Sequence, residues 1–274
     1  MPLTIHPDQK SALGDAPLIE LRSAGKTYPN GTRALAPVDL AIHKRELVTL
    51  LGPSGCGKST LLKIMAGLIA PSEGSLRTSG SGHKLGYVFQ DATLMPWARV
   101  RANVRLPLDL AGVARSQAET RVDRALAGVG LAPSDAHFPR ELSGGMQMRV
   151  SIARALVTEP DLLLMDEPFG ALDEITRNRL DADLIRLSEQ KHLTLVFVTH
   201  SIYEAVFLST RVVVMSARPG RVLRDFNIDE PQPRSEAFRL TPRFAEYCRQ
   251  LSELLAEASA ATFADAGNAV GDEA

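Results

Sequence analysis

The chain has 274 residues, 45% of them apolar, enough to bury a sizeable core in one large domain or a domain with a small lobe. Lysines and arginines number 31 against 32 acids, a formal charge of -1, so no global basic field points to nucleic acid as a partner. Cys56 and Cys248 are too few and too distant for a disulfide framework or a zinc cluster, and no apolar run approaches the roughly 18–20 residues that span a bilayer.

Residues 1–16 lack the basic cap and apolar stretch of a secretory signal and read as a flexible leader to a domain over 17–258. Residues 18–28 and Arg33–Ile42 read as strands around a turn at Pro29, Asn30 and Gly31. Leu47–Leu51 is a short buried strand that leads into a glycine-rich loop, and residues 59–66 have helical composition ended by Gly67. Residues 71–74 read as a turn and 84–90 as a strand. From Asp91 onward alanine, arginine and leucine recur at helical spacing, broken by Pro107, Gly112, Gly130, Pro133 and Pro139, which predicts an inserted helical lobe over about residues 91–158. Residues 162–165 and 195–198 are buried strands joined by a crossover helix over 174–189, and residues 212–215 continue the sheet. A short strand over 222–228 and a helix over 242–257 follow, and the small, acidic tail of residues 259–274 is predicted disordered.

Gly52-Pro53-Ser54-Gly55-Cys56-Gly57-Lys58-Ser59, followed by Thr60, has the spacing of a phosphate-binding P-loop and stands between a predicted strand and a predicted helix, the context that the motif needs. Glycines let the backbone curl so that N–H groups point at phosphates, Lys58 adds a point charge, and Ser59 offers a hydroxyl to Mg2+. The spacing leaves the class of NTPase open. In Leu162-Leu163-Leu164-Met165-Asp166-Glu167-Pro168 two carboxylates follow an apolar strand, where ligands sit in open α/β sheets. The form is that of a Walker B segment, in which Asp166 supports the magnesium ion and Glu167 polarises the attacking water as general base. In isolation the same tripeptide reads as a helix cap. Leu142-Ser143-Gly144-Gly145-Met146-Gln147 precedes a helix predicted over 148–157, so Ser143, Gly144 and Gly145 offer a second anion-binding nest, although one nucleotide needs only one.

This second nest resembles the signature sequence of ABC ATPases, and the resemblance covers residues from about 17 to 258. It implies that Ser143, Gly144 and Gly145 contact the γ-phosphate held by the other copy in a head-to-tail homodimer. It further implies that Tyr28 stacks on adenine, that Gln90 is the Q-loop glutamine beside Mg2+, that Gly170-Ala171-Leu172-Asp173 is the D-loop, and that His200 is the switch histidine. Taken singly, Tyr28 also reads as a packed strand residue and His200 as a structural histidine. Met146 stands where the family most often has glutamine, and Gly170 where serine is common. His6, His43, His83, His137 and His192 show no ligand spacing.

The fold implied is α/β, a P-loop NTPase core with an antiparallel β subdomain and an inserted helical subdomain. The implied activity is hydrolysis of ATP with Mg2+, coupled to transport. A P-loop kinase would lack the signature loop, a DNA-repair member would carry a long coiled-coil insertion, and ribosome-associated members resemble two such domains in tandem. The lack of fused membrane helices favours the separately encoded motor of an importer, although some exporters are built that way. Its partners would be permease subunits and, indirectly, a solute-binding protein, with no nucleic acid, and its place the cytoplasmic face of the membrane. The apolar loop Leu94-Met95-Pro96-Trp97 reads either as core or as a docking groove for a permease helix, with Trp97 as anchor. That loop, Tyr203-Glu204-Ala205-Val206 and Ala217-Arg218-Pro219-Gly220-Arg221 resemble the branch that imports nitrate, sulfonates or taurine. Asp173-Glu174-Ile175-Thr176-Arg177 resembles its importers of thiamine-precursor pyrimidines at least as well.

Overall fold

The computed structural model describes residues 16–79, 84–217 and 219–268. The predicted leader lies almost wholly outside these residues, as do the end of the predicted tail, His6, His83 and Arg218.

In chain order come β1 (Ile19–Thr27), β2 (Arg33–Ile42), β3 (Leu47–Leu51), α1 (Lys58–Met65), β4 (Glu73–Thr78) and β5 (Leu85–Val88). Three helices follow, α2 (Val100–Leu110), α3 (Arg115–Gly128) and α4 (Gly144–Leu156). The chain then runs through β6 (Leu162–Asp166), α5 (Glu174–Lys191), β7 (Thr194–Thr199), α6 (Ile202–Leu208), β8 (Arg211–Ser216), β9 (Arg221–Asn227) and α7 (Pro242–Asn268). β2, β1 and β4 form an antiparallel sheet in that order. The second sheet runs β5-β6-β7-β3-β8-β9, parallel throughout except for β9.

The parallel strands are short apolar runs because both faces of their sheet are covered. Alternate side chains point to opposite faces. Leu51, Leu163, Met165, Leu195, Phe197 and Val212 enter a core shared with the helices from α2 to α7. Their neighbours Leu50, Leu162, Leu164, Val196, Val198 and Val213 enter a second core with α1, β1 and β2. Leu51 pairs with Thr199 and Val198 with Asp166, so the loops after β3, β7 and β6 leave the sheet side by side at its carboxyl end.

Four elements depart from the sequence expectation. β4 forms where only a turn was expected, because an antiparallel edge against β1 lets Leu76 pack inward from an otherwise polar segment. α4 begins at Gly144 rather than at residue 148. Ser143 Oγ accepts from Met146 N at 3.3 Å and caps it, and a Cβ on Gly145 would lie 2.9 Å from Thr176 Cγ2, so tertiary approach outweighs the poor helix propensity of glycine. α6 was not anticipated as a helix. α7 continues to Asn268, into the segment expected to be disordered, since its alanine-rich sequence favours helix and Leu251 and Ala258 are fully buried. Among the described residues no helix is long and apolar enough to cross a membrane.

Candidate functional site

The chain leaves β3 into the glycine-rich loop and enters α1 at Lys58. Gly57, with φ of 91°, supplies the left-handed turn between them, and a Cβ there would lie 2.7 Å from Leu35 Cδ2 and 2.8 Å from the Ala34 carbonyl. The first backbone N–H groups of α1 therefore face a cleft of about 710 Å³. Ser54, Gly55, Gly57, Lys58, Ser59 and Thr60 form one wall, Gln90 and Glu167 another, and Thr32, Arg33, Ala34 and Pro219 the rim. Lys58 is 4% exposed, and its Nζ donates to the carbonyls of Gly52 at 2.8 Å and Pro53 at 3.1 Å. Cys56 fills the inside of the loop, where burial pushes its thiol up despite Lys58 and disfavours the reactive thiolate.

Ser59 Oγ donates to Asp166 Oδ1 at 2.7 Å, which joins the start of α1 to the end of β6. Burial pushes the Asp166 carboxyl up and the Ser59 hydrogen bond pulls it back. Glu167 stands next to it at φ of 44°, a left-handed backbone that strains a residue with a side chain. Its amide donates to the Val198 carbonyl at 3.0 Å, which fixes the bend. Its carboxylate bridges two groups, with Oε1 3.6 Å from Lys58 Nζ and Oε2 3.2 Å from His200 Nδ1. A cleft headed by a helix N-terminus and a lysine can bind a polyphosphate, and a strained acid between that lysine and a histidine can take a proton from water beside it. Hydroxyl, carboxylate and amide oxygens from Ser59, Asp166 and Gln90 suit Mg2+, which takes a few protein oxygens alongside phosphate and water. Among the described residues no cluster of three His, Cys, Asp or Glu offers an all-protein metal cage.

The structure thus brings together the residues from Gly52 to Thr60, Gln90, Asp166, Glu167 and His200. Tyr28, half-buried at the end of β1, flanks them with its hydroxyl 3.2 Å from Thr60 Oγ1. Ser143, Gly144 and Gly145 do not line this cleft. Gly144 lies against Leu172 and Gly145 against Thr176 and Leu172, Ser143 caps α4, and Asp173 caps α5 by accepting from Thr176 N at 2.9 Å. The loop of residues 94–97 is not core, for Leu94 is only half-buried and Trp97 is 76% exposed. Trp97 also stands outside the nearby groove of about 380 Å³ that Leu85, Tyr87, Phe89, Leu106, Leu110 and Arg154 line. Sequence reasoning missed Arg33 and Pro219 at the rim, and Tyr87, whose hydroxyl approaches Asp166 Oδ2 at 3.5 Å and is pushed up by burial and that carboxylate. The period-two pattern of β5, one strand from β6, was the available signal for Tyr87.

Residues 35–170 match the family described as ABC transporter. The taurine import ATP-binding protein TauB of Rhizobium johnstonii is 44% identical over 238 residues, 83% of this chain and 91% of that one. The aliphatic sulfonates import ATP-binding protein SsuB of Bacillus licheniformis is 42% identical over 234 residues, 82% and 89% of the two chains. Among solved structures, the ATP-binding cassette MJ0796, a dimer in a post-hydrolysis state bound to ADP and Pi, superposes with a TM-score of 0.69 at 33% identity, over 78% of this chain and 100% of that one.

Proposed function

The chain belongs to the ATP-binding subunits of ABC transporters and is an ATP hydrolase of that family, and from that premise we propose that it is the motor of an importer for a small polar solute. The observation that carries the reading is the meeting of the P-loop, Asp166, Glu167 and His200 around one cleft. Relatives named for import of taurine and of aliphatic sulfonates support the solute class, within which nitrate and pyrimidine precursors also fall.

In this reading the P-loop amides and Lys58 bind the β- and γ-phosphates of ATP, with Tyr28 against the adenine. Ser59, Asp166 and Gln90 would hold Mg2+, which when bound neutralises phosphate charge. Glu167 takes the proton of the attacking water, and His200, hydrogen-bonded to it, holds its carboxylate toward the γ-phosphate. Positioning and charge neutralisation supply most of the acceleration.

Ser143, Gly144 and Gly145 form the N-terminus of a helix and are not among the residues that line the chain's own cleft, which supports their serving the site of a second copy in a two-fold, head-to-tail dimer. Asp173, in the adjoining turn, belongs to the same interface. The groove between β5 and α2, together with exposed Trp97 and Leu110, is a surface for a cytoplasmic helix of a permease. The chain then works on the cytoplasmic face of the membrane, and a solute-binding protein delivers cargo to the permease from outside.

Glu167→Gln tests the chemistry. It keeps shape and ATP binding but removes the base, so turnover falls about 100- to 10,000-fold and the protein accumulates as an ATP-bound dimer. Near-parental hydrolysis by purified Glu167→Gln protein would overturn the role of Glu167. Vesicle transport with the permease tests direction, and outward movement of solute would overturn import while leaving the hydrolase standing.

A further inference from the structure

Two loops carry the proposed chemistry, residues 167–172 after β6 and residues 199–201 after β7, and one pair of side chains joins them behind the cleft. Arg177, near the start of α5, donates from Nη2 to the Leu172 carbonyl at 2.7 Å and from Nε to the Phe169 carbonyl at 3.3 Å, so it grips both ends of one turn. The same Nε lies 3.7 Å from Oε1 of Glu204 on α6. The other oxygen of Glu204 accepts a hydrogen bond from the Thr199 hydroxyl, and Thr199 Oγ1 accepts in turn from Ser201 N at 2.9 Å. Both neighbours of His200 are therefore held through Glu204. His200 Nδ1 meets Glu167 Oε2 at 3.2 Å, which closes a ring from Glu167 through its loop, Arg177, Glu204, Thr199 and His200 back to Glu167.

Stability does not account for this arrangement. Glu204 is 5% exposed, and its Oε1 has no hydrogen bond among the described residues. A buried acid satisfied on one oxygen pays a desolvation cost that an apolar residue of similar size would avoid. The turn that Arg177 grips also places Leu172 against Gly144 and Gly145.

We infer that Arg177 and Glu204 are positioning residues, a strut that sets His200 against Glu167 and so fixes the geometry of the hydrolytic step. This rests on the reading of Glu167 and His200 as the hydrolytic pair. A displacement of about 1 Å in such a pair costs up to roughly 100-fold in rate.

The test is steady-state hydrolysis by the full chain, with ATP affinity and thermal melting measured on the same samples. Glu204→Gln and Arg177→Lys should each lower kcat about tenfold or more, with KM and Kd for ATP within about twofold of the parent. Introduced into His200→Ala, the same changes should cost less than about twofold further, because the group they position is gone. Thr199→Val, which removes only the hydroxyl link, supplies the same comparison if a charge change fails to fold. Equal losses of kcat in the parent and His200→Ala backgrounds overturn the strut, since they mark general damage. If His200→Ala lowers kcat while the strut variants do not, the strut alone is wrong. If His200→Ala retains parental kcat, the hydrolytic reading of His200 fails and the strut with it.

Discussion

Arg234 is 5% exposed and holds the end of the helix that follows His200. Its Nη1 donates to the carbonyls of Val206 at 2.6 Å, Phe207 at 3.1 Å and Ser209 at 2.8 Å, and its Nη2 to Glu230 O at 2.9 Å. The first three are the unpaired acceptors at the negative end of α6, so one guanidinium both satisfies them and opposes the helix dipole. Burial lowers its pKa to about 10, so it remains charged at neutral pH. Arg234→Met keeps the apolar stem and removes every donor. Each buried carbonyl left without a partner costs about 1–3 kcal/mol, and allowing for partial relief by water the substitution should cost about 3–5 kcal/mol. For a chain of this size that is a fall in Tm of about 10 °C, measured by circular dichroism and checked by the urea midpoint at constant m. Because α6 bears Glu204, kcat should fall with it. A Tm within about 2 °C of the parent would show that α6 does not depend on this cap.

Lys58→Ala should weaken ATP binding about 10- to 100-fold, the worth of one charge-assisted contact; unchanged affinity by calorimetric titration removes Lys58 from the site. Trp97→Ala should leave basal hydrolysis and Tm unaltered but reduce permease-stimulated hydrolysis and co-purification with the permease, and no loss of either means that this face is not the contact. Burial, with Glu204 alongside, pushes the Asp181 carboxyl up to about 8 against the pull of Arg239, whose Nη2 donates to it at 2.7 Å. A carboxyl with a raised folded value takes up a proton on folding, so it lowers stability progressively as pH rises from about 4 to about 8. Asp181→Asn should flatten that slope, and parallel pH profiles of Tm in the two proteins refute the assignment.

The α/β architecture was legible because β3, β6, β7 and β8 are apolar runs between glycine, proline and helical segments, and because Gly52 to Ser59 and Asp166-Glu167 are local patterns whose spacing is fixed by backbone chemistry. What escaped depends on contacts between distant residues. Glu73 to Thr78 becomes a strand only because β1 offers an edge, and nothing in Glu-Gly-Ser alone announces it. The start of α4 was hidden by two glycines whose purpose, approach to Leu172 and Thr176, lies in another part of the chain. Glu204 and Arg177 were visible as letters of similar segments, yet their union across α5 and α6 appears only in three dimensions. Arg33 and Pro219 meet the cleft from the first sheet and from the turn before β9, positions that no local motif connects to a phosphate loop.

The strand that bears the phosphate loop has a consequence for biosynthesis. β3 is hydrogen-bonded to β7 on one side and β8 on the other, Leu47 against Leu195 and Val48 against Arg211. A ribosome therefore releases an apolar strand and its glycine loop long before either flanking strand exists, and the growing chain must wait for its last third to cover them. Closure of so long a loop is slow, and exposed strand edges are sticky in the interval. A chain truncated before β7 has the glycine loop but neither flanking strand, and should occupy chaperones rather than bind ATP.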